Sequence, residues 1–317
     1  MIEGIIAAVA QVWPDLGVEG AMPAHYDWVL QSRSRVIVFL FAPNDTAYPS
    51  LVVKIARSSQ DTSKLLNCVR ASRAVRKLVP PALQETIPIM APLPLADGLT
   101  GMVEQGLPGA PIDVAGMSIG DTRALRKACQ PFREWLVAFQ RGTRTGGIGI
   151  TSEMVDDLVL PLEPLGVGGR HIAKTRDICA RLVGQSLPLV WAYGDTHPSN
   201  VLLRHGRVSG AVDWEGSSPE QWPVYDWFQF CVSLVDELFK AHRPSLSRAD
   251  RLAAACGVIA KPGDGRMGAA LQEETRRFFS GISLDPHLLL PFFLAFLIRY
   301  FWVEDKEQLL CRVLETI

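Results

Sequence analysis

The first third of the chain contains the apolar, β-branched runs that are typical of β-strands. Residues 36–41 form one such run, and residues 51–55 form a second one after a connection rich in turn residues. This pair predicts an antiparallel hairpin. Further strands are predicted at 27–30, 86–90 and 100–105. We therefore expect a small antiparallel sheet in this part of the chain.

Between and after these strands, apolar residues recur every three or four positions, as they do in amphipathic helices. The spacing predicts a helix over 62–79, which two prolines end, and another after Asp121, a residue suited to cap a helix. A third helix is predicted around 172–182. The apolar run 288–298 is too short to span a bilayer and is interpreted as a buried helix.

A glycine- and proline-rich segment at 106–111 interrupts both patterns. It divides the chain into a predicted N-terminal lobe at 1–105 and a larger, mainly helical C-terminal lobe at 106–317. One β-like island, residues 189–213, lies within the helical part, and its last two apolar segments flank a short turn as in a β-hairpin. The predicted fold class is therefore α+β with two lobes.

Composition places the 317-residue chain among ordinary globular proteins, with 48% hydrophobic and 21% charged residues. A formal net charge of −1 argues against a nucleic-acid binder, which would carry a basic surplus. The six cysteines lack the spacing of a metal site, so buried free thiols in a reducing compartment are expected. No positively charged segment precedes the short apolar stretch at the start, so we expect a cytoplasmic protein with no secretory signal and no membrane partner.

Polar side chains gather at one end of the hairpin in the β-like island. Asp195 and Asn200 lie on the loop before its first arm, and Asp213 ends its second arm. Antiparallel pairing places these two ends side by side. Mg²⁺ prefers oxygen ligands such as those of Asn200 and Asp213, and it keeps its other positions for water and substrate phosphates. Asp195 is then placed to accept a proton from an attacking hydroxyl group, as phosphoryl transfer requires.

Lys54 is the candidate cation for the phosphates of a nucleotide. It lies in the apolar strand 51–55, where alternation puts it on the same face as Val52. A lysine in such a strand is costly unless it has a partner, and the phosphates of ATP would provide one.

These residues closely resemble motifs of the aminoglycoside phosphotransferase family, whose fold is similar to that of protein kinases. The segment Gly-Asp-Thr-His-Pro-Ser-Asn at 194–200 and Val-Asp-Trp-Glu at 212–215 carry most of the resemblance. Residues 52–55 resemble the family's lysine strand, and residues 102–109 resemble its interlobe hinge, where backbone groups usually hold adenine. Asp226 matches the structural aspartate that braces the catalytic loop.

The resemblance implies a phosphotransferase that acts on an alcohol group of a small molecule, with ATP or another nucleoside triphosphate and Mg²⁺ as cofactors. Asp195 is then the catalytic base or the residue that orients the hydroxyl group, Asn200 and Asp213 are the Mg²⁺ ligands, and Lys54 binds the phosphates. The nucleotide is expected in the crevice between the lobes. Further nucleotide contacts are expected at Ser32, Ser34, Glu104 and Gln105. The oligomeric state is left open.

Three departures from the family pattern leave a second hypothesis open. Tyr193 stands where many relatives have histidine, which is a supporting position. The loop 31–35 contains no glycine, although its serines and arginines remain candidates for phosphate contacts. The predicted helix 62–79 has no acidic residue to pair with Lys54. The alternative is therefore a kinase-like binding protein with weak or no catalysis; a hydrolase that uses His197 has no support from a G-x-S-x-G motif.

Several neighbouring residues have more than one interpretation. Family members act on aminoglycosides, other antibiotics, choline, homoserine and sugars, and the nearly balanced charge of 106–317 favours a neutral sugar-like or metabolite alcohol. Glu215 is either a neighbour of the metal or a solvated carboxylate. His197 is interpreted as hydrogen-bonding support within its loop. The tryptophans at 214, 222 and 227 are interpreted as core residues rather than as the lining of a substrate pocket.

Overall fold

A computed structural model describes the protein at residues 2–17, 22–23, 25–31, 34–42, 48–95, 99–261, 265–300 and 306–316. The chain forms two compact units. The first comprises Met1–Pro111, Tyr193–Asp195 and Asn200–Ser218, and the second comprises Ile112–Ala192, Thr196–Ser199 and Pro219–Ile317.

The elements alternate between strands and helices in the first part of the chain and are mainly helical afterwards. The helices are α1 (Ile2–Leu16), α2 (Ser59–Leu78), α3 (Pro81–Gln84), α4 (Thr122–Gly142), α5 (Ser152–Val159), α6 (Gly169–Cys179), α7 (Tyr225–His242), α8 (Arg248–Ala260), α9 (Gly265–Gly281), α10 (Leu289–Arg299) and α11 (Lys306–Thr316). The strands are β1 (His25–Gln31), β2 (Arg35–Phe41), β3 (Leu51–Ala56), β4 (Met90–Pro94), β5 (Thr100–Gln105), β6 (Ala110–Pro111), β7 (Gly146–Gly149), β8 (Ser186–Ala192), β9 (Val201–Arg204), β10 (Arg207–Ala211) and β11 (Ser218–Gln221).

The first unit is built on an antiparallel sheet of five strands in the order β1-β2-β3-β5-β4. β2 and β3 pair antiparallel, which confirms the predicted hairpin. One face of the sheet packs against α1 in a core that includes Val9, Val38 and Val53. No pattern in the sequence predicted α1. Because side chains alternate along a strand, Lys54 projects from the opposite face.

The strand predicted at 86–90 is wrong in position, because β4 begins only at Met90. Thr86 instead lies in a turn after α3, where its N–H and its hydroxyl both donate to the carbonyl of Leu83, at 3.0 and 2.7 Å. These local hydrogen bonds hold Thr86 in the turn. Its carbonyl accepts from the N–H of Ala211, the last residue of β10, at 2.8 Å.

Two of the predicted helices begin at side-chain caps. α2 starts three residues earlier than predicted because Ser58 caps it, with its Oγ accepting from the N–H of Asp61 at 3.2 Å. Asp121 caps α4 as predicted, accepting from the N–H groups of Arg123 and Ala124 at 3.0 and 2.9 Å. Such caps satisfy N–H groups that the first helical turn leaves unpaired.

The second unit has an aromatic core on α7, α9 and α10. Phe228, Phe279 and Phe296 are fully buried, and the ring centroid of Phe228 lies 6.0 Å from that of Phe279 and 5.7 Å from that of Phe296. Most of α10 is buried, which confirms the buried helix predicted at 288–298. In the described part of the chain, no helix has both the length and the hydropathy needed to cross a bilayer.

Two further interpretations about buried residues are confirmed. The three tryptophans singled out from the sequence are core residues, at 0% exposure for Trp214 and Trp227 and 4% for Trp222. All six cysteines are free, and all but Cys311 are buried.

Candidate active site

The loop that precedes the β9–β10 hairpin holds Asp195 and Asn200 against each other. The Nδ2 group of Asn200 donates to Asp195 Oδ2 at 2.9 Å and to the Asp195 carbonyl at 3.2 Å. The carbonyl of Asn200 accepts from the N–H of Val212 at 3.0 Å, one residue before Asp213. The hairpin thus brings the three predicted polar residues to one end, as its register requires.

Tyr193 braces both arms of this hairpin. Its side chain is fully buried, and its hydroxyl group lies within hydrogen-bond distance of the carbonyl oxygens of Val212 and Asn200. Its ring centroid lies 4.7 Å from that of Trp214. The tyrosine therefore occupies the supporting position that was expected for a residue at this place.

Gly194 lets the loop pass directly against the backbone at Gly216. Its φ angle of +89° lies in the left-handed region that other residues rarely adopt. A Cβ atom at Gly194 would overlap the carbonyl oxygen of Gly216. Glycine is therefore required immediately before Asp195.

Replacing Gly194 with alanine is expected to destabilise the protein more than the same change at Gly120. Gly120 has the same φ of +89° but no atom within 4 Å of a built Cβ, so Gly120→Ala is the control for backbone strain alone. We expect a loss of about 1 kcal/mol for Gly120→Ala and a further ~1–3 kcal/mol for Gly194→Ala, measured by urea unfolding. Equal losses would contradict the close approach.

Asp213 leaves β10 in the left-handed conformation, with φ 66° and ψ 68°. Aspartate is one of the few residues besides glycine that adopt this conformation readily. The short 3₁₀ helix Trp214–Gly216 follows, and the indole N–H of Trp214 donates to the carbonyl of Ala211 at 2.7 Å, which fixes the turn. Asp213 Oδ1 is buried, and no hydrogen-bond donor in the described residues reaches it.

Lys54 faces two carboxylates. Its Nζ atom lies 3.1 Å from Glu104 Oε1 and 3.6 Å from Asp213 Oδ1, and the side chains of Lys54 and Glu104 are almost fully buried. β3 pairs Lys54 with Met102 and Val52 with Glu104, so Glu104 is the diagonal neighbour of Lys54 on the same face. Burial by itself lowers the pKa of Lys54, but the two carboxylates outweigh it and raise the pKa above its usual value. The lysine is therefore charged.

The stretch 62–79 contains no acidic residue, yet Lys54 has a carboxylate partner. The partner comes from β5 rather than from α2. α2 contributes Cys68, a buried thiol whose pKa is raised to about 12, chiefly by burial. α2 also contributes Asn67, whose Nδ2 group donates to the carbonyl of Glu215 at 2.9 Å and ties the helix to the segment after β10.

Arg35, the first residue of β2, forms a second ion-pair centre beside Lys54. Its guanidinium group pairs with the carboxylate of Glu215, and its Nη1 atom lies 3.5 Å from Asp213 Oδ1. Burial lowers the pKa of Arg35, but the two carboxylates outweigh this and raise it. Neither sequence interpretation of Glu215 anticipated this role, in which its carboxylate binds an arginine.

The pKa of Asp195 lies above the usual value of an aspartate. Its pKa is raised to about 6, first by burial and then by the negative charges of Asp213 and Glu215, while the hydrogen bond from Asn200 and the charge of Lys54 act in the opposite direction. A carboxylate with a raised pKa accepts a proton more readily than an ordinary aspartate, which suits a general base.

Asp213 and Asn200 fit a magnesium ion. The buried Oδ1 atom of Asp213 receives no hydrogen bond from the described residues. The Nδ2 group of Asn200 donates to Asp195, so the amide oxygen is the atom of Asn200 whose chemistry would suit a metal ion. Mg²⁺ is commonly held by one or two such oxygens together with substrate phosphates. The described residues contain no cluster of three or more His, Cys, Asp or Glu side chains arranged for a metal.

The other residues predicted to contact the nucleotide are Ser32, Ser34, Glu104 and Gln105, and no observation tests these contacts. Ser32 lies outside the described residues, and Ser34 immediately precedes β2. The N–H of Gln105 donates to the carbonyl of Ile89 at 2.8 Å, so a nucleotide contact of Gln105 has to use its carbonyl or its side chain. The carboxylate of Glu104 is engaged in the ion pair described above. These nucleotide-binding roles stay predictions.

In the second unit, the loop residues 196–199 are held by their own hydrogen bonds. His197 Nδ1 lies 2.7 Å from Ser199 Oγ and accepts from the N–H of Ser199 at 3.2 Å. Thr196 Oγ1 donates to the carbonyl of Asp226 at 2.8 Å. His197 thus supports its loop, as the sequence indicated, and Asp226 contacts the loop through its backbone.

A strand lysine paired with a carboxylate, an Asp-x₄-Asn loop and a following aspartate serve phosphoryl transfer in protein-kinase-like folds, where a helix provides the carboxylate. Here the carboxylate comes from β5. Together, these parts are typical of phosphotransferases of this class. Its residues 158–264, about a third of the chain, match the model of the phosphotransferase enzyme family, APH. This match confirms the resemblance predicted from the sequence.

Solved structures with the same fold span the whole chain. Two thermostable mutants of aminoglycoside phosphotransferase APH(4)-Ia, in ternary complexes of hygromycin B with ADP and with AMP-PNP, each align at a TM-score of 0.52 and 12% identity. The alignments cover 97% of this chain and 97% of the first structure, and 99% and 98% for the second. The likeness confirms the predicted α+β fold. No curated protein matches the chain in sequence.

The structure links four of the predicted residues through adjacent contacts: Lys54, Asp195, Asn200 and Asp213. The sequence pattern did not reveal the ion-pair roles of Glu104 and Arg35. A signal for Glu104 exists, because it is the one charged residue of β5 and follows the apolar pair Met102 and Val103. Arg35 and Glu215 are 180 positions apart and leave no local signal of their contact.

Proposed function

We propose that this protein is a Mg²⁺-dependent kinase that transfers the γ-phosphoryl group of ATP, or of another nucleoside triphosphate, to a hydroxyl group of a small molecule. Asp195 is the catalytic base, Lys54 binds the nucleotide phosphates, and Asn200 and Asp213 hold the magnesium ion. The observation that carries the proposal is the buried Oδ1 atom of Asp213, which lies 3.6 Å from Lys54 Nζ and receives no hydrogen bond from the described residues. Asp213 directly follows Val212, whose N–H donates to the carbonyl of Asn200.

The side chains divide the reaction among them. Asp195 takes the proton of the acceptor hydroxyl group while the oxygen of that group bonds to the γ-phosphorus. The bond between the γ-phosphorus and the oxygen that bridges the β- and γ-phosphates breaks, which releases the nucleoside diphosphate. Asn200 fixes the orientation of the Asp195 carboxylate through its hydrogen bond. Lys54, held by Glu104, donates to phosphate oxygens. A magnesium ion, when bound, neutralises part of the negative charge that develops on the phosphates.

The acceptor can be identified by testing a panel of hydroxyl compounds for nucleoside triphosphate consumption. Hygromycin B is bound in the two similar structures and belongs in the panel. Sugars and amino alcohols belong there as well, since the charge of residues 106–317 is nearly balanced. We expect nucleoside triphosphate consumption with at least one acceptor in the presence of Mg²⁺. A protein that neither binds the nucleotide nor consumes it with any acceptor would contradict the proposal and favour a binding protein without catalysis.

Asp213→Asn is expected to abolish the Mg²⁺-dependent part of nucleotide binding. Asparagine also adopts the left-handed conformation, so the turn is preserved while the anionic ligand is lost. The wild-type Tm should rise with ATP and Mg²⁺, by mass action, and should rise less when EDTA removes the metal. The variant should show no such difference.

The matched control for this variant is Asp156→Asn, which changes an exposed carboxylate on α5. It should retain the full difference between the shifts with Mg²⁺ and with EDTA. An Asp213→Asn protein that behaves like this control would rule out Asp213 as a metal ligand.

A further inference from the structure

We propose that Arg35 is a second phosphate-binding residue of this site and that Glu215 is its positioning residue. The inference rests on the proposed function, because it concerns the same nucleotide.

The register of the sheet places Arg35 and Lys54 on one face. β2 and β3 pair Ile37 with Lys54 and Arg35 with Ala56. Side chains alternate along a strand, so Arg35 and Ile37 project from the same side as Lys54. The side chains of Arg35 and Lys54 therefore project from the same face of the sheet, on neighbouring strands and in consecutive cross-strand pairs of that face.

Both cations approach the same oxygen without saturating it. Arg35 Nη1 lies 3.5 Å and Lys54 Nζ lies 3.6 Å from Asp213 Oδ1, an atom that receives no hydrogen bond from the described residues. This oxygen remains able to bind a metal ion, which would neutralise part of the negative charge that the two cations face. If Asp213 holds a magnesium ion together with the nucleotide, the phosphates would lie near Asp213 and therefore near both cations.

Arginine suits this position because its guanidinium group carries five N–H donors in a planar fork. Glu215 binds the Nη2 end of Arg35, which leaves the Nη1 side directed to Asp213. Glu215 is itself held in place, since its carbonyl accepts from Asn67 of α2 at 2.9 Å. The side chain of Arg35 is 11% exposed, so it is largely shielded from bulk water. The arginine is thus aimed at the position of the phosphates before it binds them.

The test compares adenosine, ADP and ATP as ligands of the wild-type protein, Arg35→Ala, Glu215→Gln and Arg57→Ala, by calorimetry with Mg²⁺ present. Arg57 is the matched control, because it is an exposed arginine at the same end of the sheet, where it contacts Gln31. A lost charge-assisted hydrogen bond should raise the Kd of Arg35→Ala for ATP by about 10- to 100-fold. The Kd for adenosine should stay unchanged. Glu215→Gln should show a smaller loss with the same dependence on phosphates.

The outcomes separate this inference from the function on which it rests. A wild-type protein that binds no nucleotide contradicts the proposed function itself. If the wild type binds ATP and Arg35→Ala binds it as tightly as Arg57→Ala does, the inference about Arg35 is wrong and the kinase proposal stands. Equal losses for adenosine and ATP would show that Arg35 is merely structural, which also overturns the inference.

A second variant covers the case in which Arg35→Ala does not fold. Arg35→Lys keeps the charge, but its single ammonium group cannot bridge Glu215 and a phosphate as the fork does. It should therefore lose ATP affinity, by less than Arg35→Ala, and leave adenosine affinity unchanged. An unaltered Kd for ATP in Arg35→Lys, together with an unaltered Kd in Glu215→Gln, would refute the inference.

Discussion

Replacing Asp195 with asparagine is expected to lower kcat by about 100- to 10,000-fold, the usual contribution of a general base, and to leave nucleotide affinity nearly unchanged. Asparagine retains an oxygen that can accept the hydrogen bond from Asn200, so the loop should keep its geometry. What it loses is the capacity to take up the proton of the acceptor. The measurement is nucleoside triphosphate consumption with the best acceptor of the panel, beside the Kd for ATP in the presence of Mg²⁺.

The control for this variant is Asp177→Asn, which removes an exposed carboxylate from α6. It should have the kcat of the wild type. A kcat of Asp195→Asn within tenfold of the wild type would reject Asp195 as the base, even if the protein proves to be a kinase.

The second large effect is expected at the buried pair of Lys54 and Glu104. Glu104→Ala leaves a buried ammonium group without its nearest carboxylate, and removing one partner of a buried pair typically costs about 3–5 kcal/mol of unfolding free energy. We expect the lower end, ~3 kcal/mol, because Asp213 still lies 3.6 Å from Lys54 Nζ. Urea unfolding monitored by tryptophan fluorescence measures the loss.

A double variant separates stability from function at this pair. Combining Lys54→Met with Glu104→Leu removes both charges, so most of the stability lost in either single variant should return, while ATP binding should not. The control is Asp156→Ala at the exposed Arg176–Asp156 pair, where the loss should stay below about 1 kcal/mol. A double variant that binds ATP like the wild type would contradict the role of Lys54. A Glu104→Ala loss no larger than that of Asp156→Ala would contradict the buried pair.

Much of the site could be predicted because its spacing is local. Asp195 and Asn200 are five positions apart on one loop, and the tight turn at His205 and Gly206 returns the chain so that Asp213 meets them. The left-handed backbone at His205 and Gly206, with φ of 52° and 73°, suits a two-residue hairpin turn. Period and turn chemistry were therefore sufficient to place these three residues at one end of a hairpin.

The strand error at 86–90 has a different cause. The stretch contains β-branched residues, and its propensity for a strand is real. In the structure, Thr86 lies in a turn after α3, where its side chain donates to the carbonyl of Leu83. Strand propensity describes the conformation that a segment favours by itself, and here the turn at the end of α3 determines the conformation instead.

By itself, the sequence determined most of the antiparallel sheet with a lysine on one face, several helices with a cap at Asp121, and the Asp-x₄-Asn loop beside its hairpin. Only the tertiary structure decided which charges meet. Strand order places β5 beside β3, so that Glu104 rather than α2 provides the partner of Lys54. The fold also joins Arg35 to Glu215 across 180 positions. Such pairings depend on the register and the order of strands, which no short stretch of sequence encodes, because hydrophobic patterning sets the face of a side chain but not its neighbour.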